Sequence, residues 1–553
     1  VTDARKFLSA ARAAARTKPV IAVKARRGAG GDAVHDAAFR RAGIVRVAAL
    51  EDLFDAAEAL ARQPPLSDDR LAILGNGGGA AALASDALDA AGGRLAALSE
   101  ETLARLDAAL PPGAARSNPL DLGDDADGAR YADALAALLE EKEADAVLVM
   151  HFPTGVAPPR EIADAVVAAH ALAPRRWRPK PVFAAWLGEA RAAEADPVLE
   201  GAGIPAYRTP AQAIGGFSHL AEHRKAQVAL IRTPPAIPGE EMPNRSAAAA
   251  AVAQALRAGR SRLTEPEARA VLRAYRIPSI ETRIAATAAE AEAAAAALLE
   301  AGARSLAVKI VAPGVASKTE LGGVRLDVTT APEARAAAAE VLARAGERRP
   351  DIRPEGVAVQ PMARASDAIE LRAGLEEDPV FGPVVVFGTG GTAAEAIGDR
   401  AVALPPLDLV LAEDLVSRAR VSRLIGGRPG APAADREAIR LALVRLAQLA
   451  ADMPEITALD INPLLAGPEG VLALDIRIEV APARPAEPGQ NPRFALRPYP
   501  SAWDRVEEVK GRRLRIRPIR PEDETLYPDF FARLSAQDMR YRFFGMMGRD
   551  RKS

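Results

Sequence analysis

Apolar strand-like runs alternate with helical patterns along the first half of the chain. The run RLAILGN at 70–76 precedes three glycines and an alanine-rich helical pattern over 80–91, and helical patterns also separate the apolar runs at 146–150 and 181–185. Strands that alternate with helices predict βαβ units, and therefore a parallel sheet covered by helices on both faces. A doubly wound α/β domain is expected over 66–225.

The remainder of the chain divides by a change in this pattern. Within 226–482 the strand-like runs are longer and short turns join several of them, which predicts a mixed or antiparallel sheet flanked by helices. The proline-rich stretch 483–511 is typical of a linker, and 512–553 opens with an alternating strand pattern. Residues 1–62 contain helices and two short strands. With 553 residues, the chain is long enough for several such domains.

Charge and composition exclude several classes of function. The chain has 72 Lys and Arg against 73 Asp and Glu, so no global field attracts nucleic acid or anionic lipid. It contains no cysteine, which excludes disulfides, thiolate nucleophiles and cysteine-ligated metals. No apolar run approaches the length of a membrane span, and the first residues form a charged amphipathic pattern rather than a signal peptide. We therefore expect a cytoplasmic protein that binds neither membranes nor nucleic acid.

The segment LDINPLLAGPEGVLALDIR at 459–477 contains a candidate metal site. Its two strand-like runs flank a turn at Pro468 and Glu469, so residues whose numbers add to 937 face each other, and Asn462 lies opposite Asp475. Cross-strand neighbours lie about 5 Å apart at Cβ, and an amide oxygen and a carboxylate placed so close together suit Mg²⁺ that is bound with a nucleotide. The alternative is a solvated polar pair at the end of a hairpin.

Two further stretches have features of a nucleotide site. In SLAVKI, Lys309 ends a buried strand and could place its ammonium group over phosphates, while Gly322 and Gly323 allow backbone amides to approach phosphate oxygens. In GVAVQPM, the extended backbone of 360–362 could border an adenine. The alternatives are a hairpin with one partly exposed lysine, and glycines that serve ordinary turns.

Taken together, these stretches resemble the ATP-grasp domain of ADP-forming acyl-CoA synthetases, relatives of succinyl-CoA synthetase. The matching segments include VKI, SKTELGGV, GVAVQPM, DPVFGPVVVFGTGG, ALPPLDL, LDINPLL and LALDIRI, in the family's order over 262–482. The resemblance implies ATP or ADP and Mg²⁺ as ligands. It implies nucleotide contacts from Lys309, Lys318, Gly322, Gly323, Gln360, Pro361, Met362 and Glu370, and metal ligation by Asn462 and Asp475.

The other segments resemble further parts of such proteins. Residues 66–225 look like the second flavodoxin-like CoA-ligase domain, and 1–62 like the closing part of the first. Residues 512–553 resemble the start of a GNAT acetyltransferase domain, as in bacterial protein lysine acetyltransferases fused to a ligase-like region. The resemblance implies a protein truncated at both ends. CoA or acyl-CoA, and a protein lysine substrate, are then expected for the full-length form.

The histidines of the family's phosphoryl relay are missing from this sequence. The interval between Lys24 and Asp32 is only ARRGAGG, where the family has a histidine-bearing loop, and Ser317 replaces a second family histidine. His35, inside the next predicted helix, is the one candidate substitute. A phosphoryl relay to an acid needs a labile phosphoramidate, which serine cannot form.

Three functions remain open from the sequence. The first is an ATP- and Mg²⁺-binding, ligase-like region of a GNAT-fused acetyltransferase, regulatory in role and without a catalytic residue. The second is an active ADP-forming acetate or acyl-CoA ligase. The third is a non-catalytic nucleotide sensor or scaffold.

Overall fold

The chain folds into two compact units, Lys6–Arg232, and Thr233–Ser553 together with Val1–Arg5. The computed structural model describes residues 3–24, 31–107, 110–111, 116–173, 179–232, 243–312, 321–350, 353–363, 368–427, 432–483, 493–496, 504–519, 523, 526–535, 537 and 541. None of the helices in these ranges is long and apolar enough to span a lipid bilayer.

The N-terminal part of the chain alternates between short strands and helices. Its strands are β1 Val20–Val23, β2 Ile44–Val47, β3 Arg70–Gly75, β4 Arg94–Leu95, β5 Leu120–Asp121, β6 Ala146–His151, β7 Val182–Trp186 and β8 Ala206–Tyr207. Its helices are α1 Ala4–Ala15, α2 Gly31–Arg41, α3 Leu50–Arg62, α4 Gly78–Ala90, α5 Glu100–Leu106, α6 Gly128–Glu140, α7 Pro159–Leu172, α8 Glu189–Gly201 and α9 Pro210–Ile231.

The larger sheet of this unit is parallel, with strand order β4-β3-β6-β7-β8 and β5 paired beside β3. Alternate residues of its strands enter two separate cores. Val147 and Val149 of β6 pack with α6 and α7, whereas Leu148 and Met150 pack with α4 and α9. The predicted doubly wound architecture is therefore confirmed. Strands β1 and β2 form a second, two-stranded parallel sheet.

The C-terminal part of the chain is built on antiparallel sheets. Its strands are β9 Arg283–Ala285, β10 Leu306–Val311, β11 Val324–Val328, β12 Gly356–Pro361, β13 Ile369–Asp378, β14 Gly382–Thr389, β15 Ala401–Ala403, β16 Ile456–Gly467, β17 Gly470–Ala473, β18 Ile476–Val480, β19 Arg505–Val509 and β20 Arg512–Ile516. Its helices are α10 Arg245–Arg257, α11 Glu265–Ala274, α12 Ala288–Glu300, α13 Ala331–Arg348, α14 Ala394–Ile397, α15 Leu409–Arg418, α16 Ser422–Ile425, α17 Arg436–Asp452 and α18 Tyr527–Arg533.

A four-stranded sheet of order β11-β10-β12-β9 carries helices on one face. Leu306, Val308 and Ile310 of β10 pack against α12 and α13. Because side chains alternate along a strand, Lys309 points to the opposite face. Gln360 of β12 shares that face, since its partner across the sheet is Ala307. The alternation of β10 therefore determines where the lysine is presented.

A six-stranded sheet has the order β15-β14-β13-β16-β17, with β18 beside β16, and charged side chains of β13 and β16 lie on one of its faces. Helix α17 packs against this sheet, and Leu371, Ala373 and Leu375 of β13 are fully or almost fully buried. Glu370 and Arg372 alternate with those residues, so they lie on the opposite face. This polar face continues onto β16.

The stretch 483–511, expected to be a linker, is partly structured. Phe494 is buried, and the Arg493 guanidinium donates to the carbonyl oxygen of Ile456 at 2.7 Å. Strand β19 also begins within this stretch and pairs with β20. The prediction of a linker rested on the high proline content of the whole stretch. A buried aromatic ring and a short hairpin need only a few residues each, so the average composition did not reveal them.

Candidate functional site

The predicted hairpin register is present in the structure. Leu464 pairs with Ala473 and Ile461 with Ile476, so opposing residue numbers add to 937 on both sides of Asn462. The backbone N–H of Asn462 donates to the backbone carbonyl oxygen of Asp475 at 3.1 Å. The two proposed metal ligands are therefore direct cross-strand neighbours, despite the proline at 463.

Lys309 reaches this pair from the other sheet. Its Nζ lies 3.4 Å from one carboxylate oxygen of Asp475 and 3.5 Å from the other. The Lys309 side chain is only 12% exposed, whereas that of Asp475 is 40% exposed. Two stretches that are 166 residues apart in sequence thus place an ammonium, a carboxylate and an amide together.

The glycine-rich turn after β14 contacts the same group of residues. The Gly391 N–H donates to Asn462 Oδ1 at 2.7 Å, and Asn462 Nδ2 lies 3.5 Å from the Gly391 carbonyl oxygen. Gly391 has a φ of +82°, and a Cβ there would overlap the Glu370 carboxylate. A side chain at this position would be strained and crowded, so the turn can approach Asn462 this closely because residue 391 is glycine.

The other expected nucleotide contacts differ in their surroundings. The Gln360 side chain is buried and donates to Glu265 at 2.8 Å and to Thr282 at 3.0 Å, so its amide serves an internal network. The Met362 N–H donates to the carbonyl oxygen of Ser305 at 2.8 Å. Pro361 and Met362 are half-buried. The Gln360 side chain and the Met362 N–H are thus already hydrogen-bonded within the protein. This leaves the side chains and carbonyl oxygens of residues 361–362 as the candidate contacts to a base.

The glycines after β10 close the edge of the four-stranded sheet. The Gly323 carbonyl oxygen accepts from the Ile310 N–H at 2.7 Å, and Gly322 has a φ of +68°. Lys318, expected to contact the nucleotide, lies outside the described residues. Of the residues proposed from this segment, the structure therefore describes only the two glycines.

Family models match three parts of the chain. A model of the ATP-grasp domain matches residues 254–480, one of the ligase-CoA domain matches 71–224, and one of the succinyl-CoA ligase-like flavodoxin domain matches 1–60. The ADP-forming acetate–CoA ligase I of Archaeoglobus fulgidus is 31% identical over 492 residues, covering 86% of this chain and 68% of that protein. The chain belongs to the ADP-forming acetate–CoA ligase family.

Other relatives of this ligase-family chain cover it to different extents. The ADP-forming 4-hydroxybutyrate–CoA ligase of Nitrosopumilus maritimus is 27% identical over 81% of this chain, which spans 62% of that protein. A chain of the acetyl-coenzyme A synthetase 1 of Ca. Korarchaeum cryptofilum, solved with coenzyme A and Ca-AMPCP, is 33% identical. It covers 41% of this chain and 97% of its own length, with a TM-score of 0.39.

One charged group of this family member was missed by the sequence reasoning. Arg372 Nε donates to Asp460 at 2.6 Å, and Arg400 donates to Glu376 at 2.6 Å. Burial disfavours the Arg372 charge, but the hydrogen bond and charge of Asp460, together with the nearby carboxylates of Glu376 and Glu395, outweigh it and raise the pKa of Arg372. The alternation of charge along β13 was the signal that could have revealed this cluster.

His35, the candidate relay substitute, lies in the middle of α2. Its ring is half-buried and meets the ring of Phe39 edge-on, at 6.5 Å between centroids. The interval 25–30 before α2 lies outside the described residues. At its two ends, Lys24 Nζ lies 2.8 Å from Asp32 Oδ1, and Arg46 lies 3.1 Å from Asp32 Oδ2. An ion-pair cluster thus joins the end of β1 to the start of α2.

The carboxyl edge of the parallel sheet holds a second polar feature. Asn76 follows β3, and its side chain donates to the Phe152 carbonyl oxygen at 2.8 Å and accepts from the Phe152 N–H at 2.7 Å. Strand order reverses between β3 and β6, where doubly wound sheets bind ligands. The adjacent helix α4 starts after Gly77 without a side-chain cap, so its first amides suit an anion.

Proposed function

We propose that this chain binds ATP or ADP together with Mg²⁺ between the face of the four-stranded sheet that carries Lys309 and the face of the six-stranded sheet that carries Glu370 and Arg372. The observation that supports the proposal is the convergence of Lys309 and Asp475, 3.4 Å apart, beside Asn462. Lys309 lies on β10, Asn462 on β16 and Asp475 between β17 and β18, so their meeting depends on how the two sheets pack.

The donor set fits this ligand. Asp475 and Asn462 offer one carboxylate and one amide oxygen, and Mg²⁺ is usually held by one or two such groups, with water and substrate phosphates completing its shell. Lys309 would act as a point charge on the phosphate chain. Bound Mg²⁺ supplies charge neutralisation of the phosphates. Pro361 and Met362 would border the base, and Gly322 and Gly323 the phosphates.

For the reaction, we propose a regulatory nucleotide-binding role rather than complete thioester synthesis. The sequence between Lys24 and Asp32 contains no histidine, and none occurs after His223. Without an imidazole the labile phosphoryl carrier of the relay is missing. The names of the relatives favour a second candidate, an active ADP-forming acetate or acyl-CoA ligase that also binds CoA, with His35 as the carrier.

Calorimetric titration with ATP and Mg²⁺ tests nucleotide binding. Lys309→Ala and Asp475→Ala should each weaken Kd by about tenfold or more, equivalent to about 1.4 kcal/mol. Lys225→Ala is a matched control, because Lys225 Nζ lies 3.4 Å from an Asp69 oxygen in the N-terminal unit. Wild-type affinity in both site variants would refute the proposed site.

Incubation with γ-labelled ATP distinguishes the two reactions. The regulatory role predicts no acid-labile phosphoenzyme. A stoichiometric acid-labile product that His35→Gln abolishes, but that His170→Gln leaves intact, would establish the ligase reaction instead. His170 suits the control because it also lies in a helix and is half-buried.

We further propose that residues 512–553 begin a GNAT acetyltransferase domain. Support comes from the alternating strand β20 and its resemblance to such a domain. A protein lysine would then be the substrate. Incubation with labelled acetyl-CoA and a lysine peptide tests this proposal: transfer to the peptide would support it, and the absence of both transfer and acetyl-CoA binding would count against it.

A further inference from the structure

Asp399 is a buried carboxylate that joins three segments near the proposed site. It lies between α14 and β15, and its side chain is only 4% exposed. It accepts from Thr389 Oγ1 at 3.0 Å, from the Arg420 N–H at 2.8 Å and from the Val421 N–H at 2.9 Å. A buried charge is costly unless it is hydrogen-bonded, so this arrangement holds all three segments to one point.

The first of these segments leads directly to the proposed metal ligand. Thr389 ends β14, and two residues later the Gly391 peptide contacts both ends of the Asn462 side-chain amide. The Gly391 N–H selects the oxygen, rather than the nitrogen, of that amide. A carbonyl oxygen has two lone pairs, so Asn462 Oδ1 can accept this hydrogen bond and still ligate a cation.

We propose that Asp399 is a positioning residue for Mg²⁺, acting through Thr389 and Gly391 on the orientation of the Asn462 amide. This inference rests on the proposed nucleotide function. Asp399 touches neither Asn462 nor Asp475 in any contact of the described residues, so its effect is transmitted by the turn. The relevant property is whether the oxygen or the nitrogen of the Asn462 side-chain amide is available to a cation bound by Asp475.

The hydrogen-bond pattern requires a carboxylate rather than an amide at 399. Oδ1 accepts from the Arg420 N–H, and Oδ2 accepts from both Thr389 and Val421. In Asp399→Asn, one of the two side-chain positions becomes an NH₂ group, which faces at least one backbone N–H. Two hydrogen-bond donors then face each other, which weakens the attachment of the neighbouring segments to residue 399 without changing the size of its side chain.

Asp408→Asn is a matched control for this change. Asp408 also carries a carboxylate that accepts from two backbone amides, those of Val410 at 3.0 Å and Leu411 at 2.8 Å. It caps the start of α15 in the same unit and does not contact the turn of Gly391 in any described contact. Both variants remove one negative charge. Asp408→Asn can keep both amide hydrogen bonds, because both reach Oδ1, so it controls for the loss of charge alone.

The experiment measures the Kd for ATP calorimetrically, once with EDTA and once with Mg²⁺. The ratio of the two Kd values is the metal enhancement. We expect Asp399→Asn to lower this enhancement several-fold, with little change in metal-free affinity. Removing a direct hydrogen-bond partner of a metal ligand costs about tenfold or more, and Asp399 acts one step further away. Asp408→Asn should leave both values at the wild-type level.

Thr389 variants keep the test decisive if Asp399→Asn fails to fold. Thr389→Val should lower the enhancement in the same way, while Thr389→Ser, which retains the hydroxyl, should restore it. An unchanged enhancement in both Asp399→Asn and Thr389→Val would overturn the positioning role, as would an equal loss of metal-free affinity. If the wild-type chain binds no nucleotide, the proposed function falls and this inference falls with it.

Discussion

Replacing His151 by phenylalanine should protect the N-terminal unit against acid. His151 ends β6, is 1% exposed, and lies between Tyr131 and Trp186, with ring centroids at 6.1 and 5.5 Å. Both ring nitrogens lack a hydrogen-bond partner among the described residues. Burial lowers the pKa of His151 from its ordinary 6.5 to about 4, because the apolar surroundings disfavour the imidazolium.

The sign and size of the effect follow from proton linkage. Between pH 6.5 and 4 the unfolded unit binds a proton at His151 that the folded unit does not, so stability falls as the pH decreases. With these two pKa values the loss is about 0.2 kcal/mol at pH 7 and about 2 kcal/mol at pH 5. It approaches about 3.4 kcal/mol well below pH 4, since each pKa unit contributes about 1.36 kcal/mol.

Hydrogen exchange in β6 gives the appropriate measurement, because the whole chain need not unfold in one step. Between pH 7 and pH 5 the protection factors of the β6 amides should fall about 20-fold more in wild type than in His151→Phe. His151→Leu should behave like His151→Phe, since a constant packing cost cancels in the comparison. His170→Phe is the control, because burial lowers the pKa of this half-buried histidine as well, and its effect should be smaller.

An identical pH dependence in wild type and both His151 variants would refute the reasoning. It would mean that His151 has the same pKa in the folded and unfolded states, for example because the imidazolium finds a hydrogen-bond partner in the folded protein. At pH 7 the same substitutions remove an unsatisfied buried donor, which costs about 1–3 kcal/mol, and this gain should offset part or all of their packing cost.

Three further outcomes are expected. Lys309→Gln should tighten the binding of Mn²⁺ alone, because the ammonium group 3.4 Å from Asp475 no longer competes with the cation, and it should weaken the binding of ATP. Electron paramagnetic resonance measures the Mn²⁺ affinity, and a loss of both affinities would contradict this prediction. Gly374→Ala should destabilise the C-terminal unit by about 1–3 kcal/mol in thermal unfolding, since a Cβ would overlap the Leu459 carbonyl oxygen. Hydrogen bonds from Arg260 lower the pKa of Glu267 from 4.5 to about 2, so the wild-type protein loses this stabilisation as the pH falls from about 4.5 to 2. Glu267→Gln lacks the stabilisation at every pH, so its stability should depend less on pH over this range. An unchanged acid unfolding profile would count against this prediction.

The local geometry of the hairpin was predictable because it depends on one turn. Once Pro468 and Glu469 are placed at the turn, the pleat determines every pair up to Asn462 and Asp475. The same holds for the parallel sheet, whose strands are separated by recognisable helices. These features follow from periodicity and chain order alone.

The contacts between sheets could not be derived in this way. That Lys309 meets Asp475 depends on how two sheets pack, and no spacing in the sequence encodes that distance. The role of Gln360 was likewise hidden, because its partners Glu265 and Thr282 come from an earlier helix and an extended segment. The family resemblance supplied the grouping, and the structure supplied the contacts.

The charges around the site have a consequence for how ligand binds. Lys309 with Asp475, and Arg372 with Asp460, are opposite charges already in contact. A phosphate chain alone would compete with Asp475 for Lys309, and a cation alone would compete with Lys309 for Asp475. A metal-bound phosphate chain replaces both halves of that pair at once, the cation on the carboxylate and the anion on the ammonium. If the proposed site binds both, metal and nucleotide should therefore bind with positive coupling, each raising the affinity for the other by the same factor.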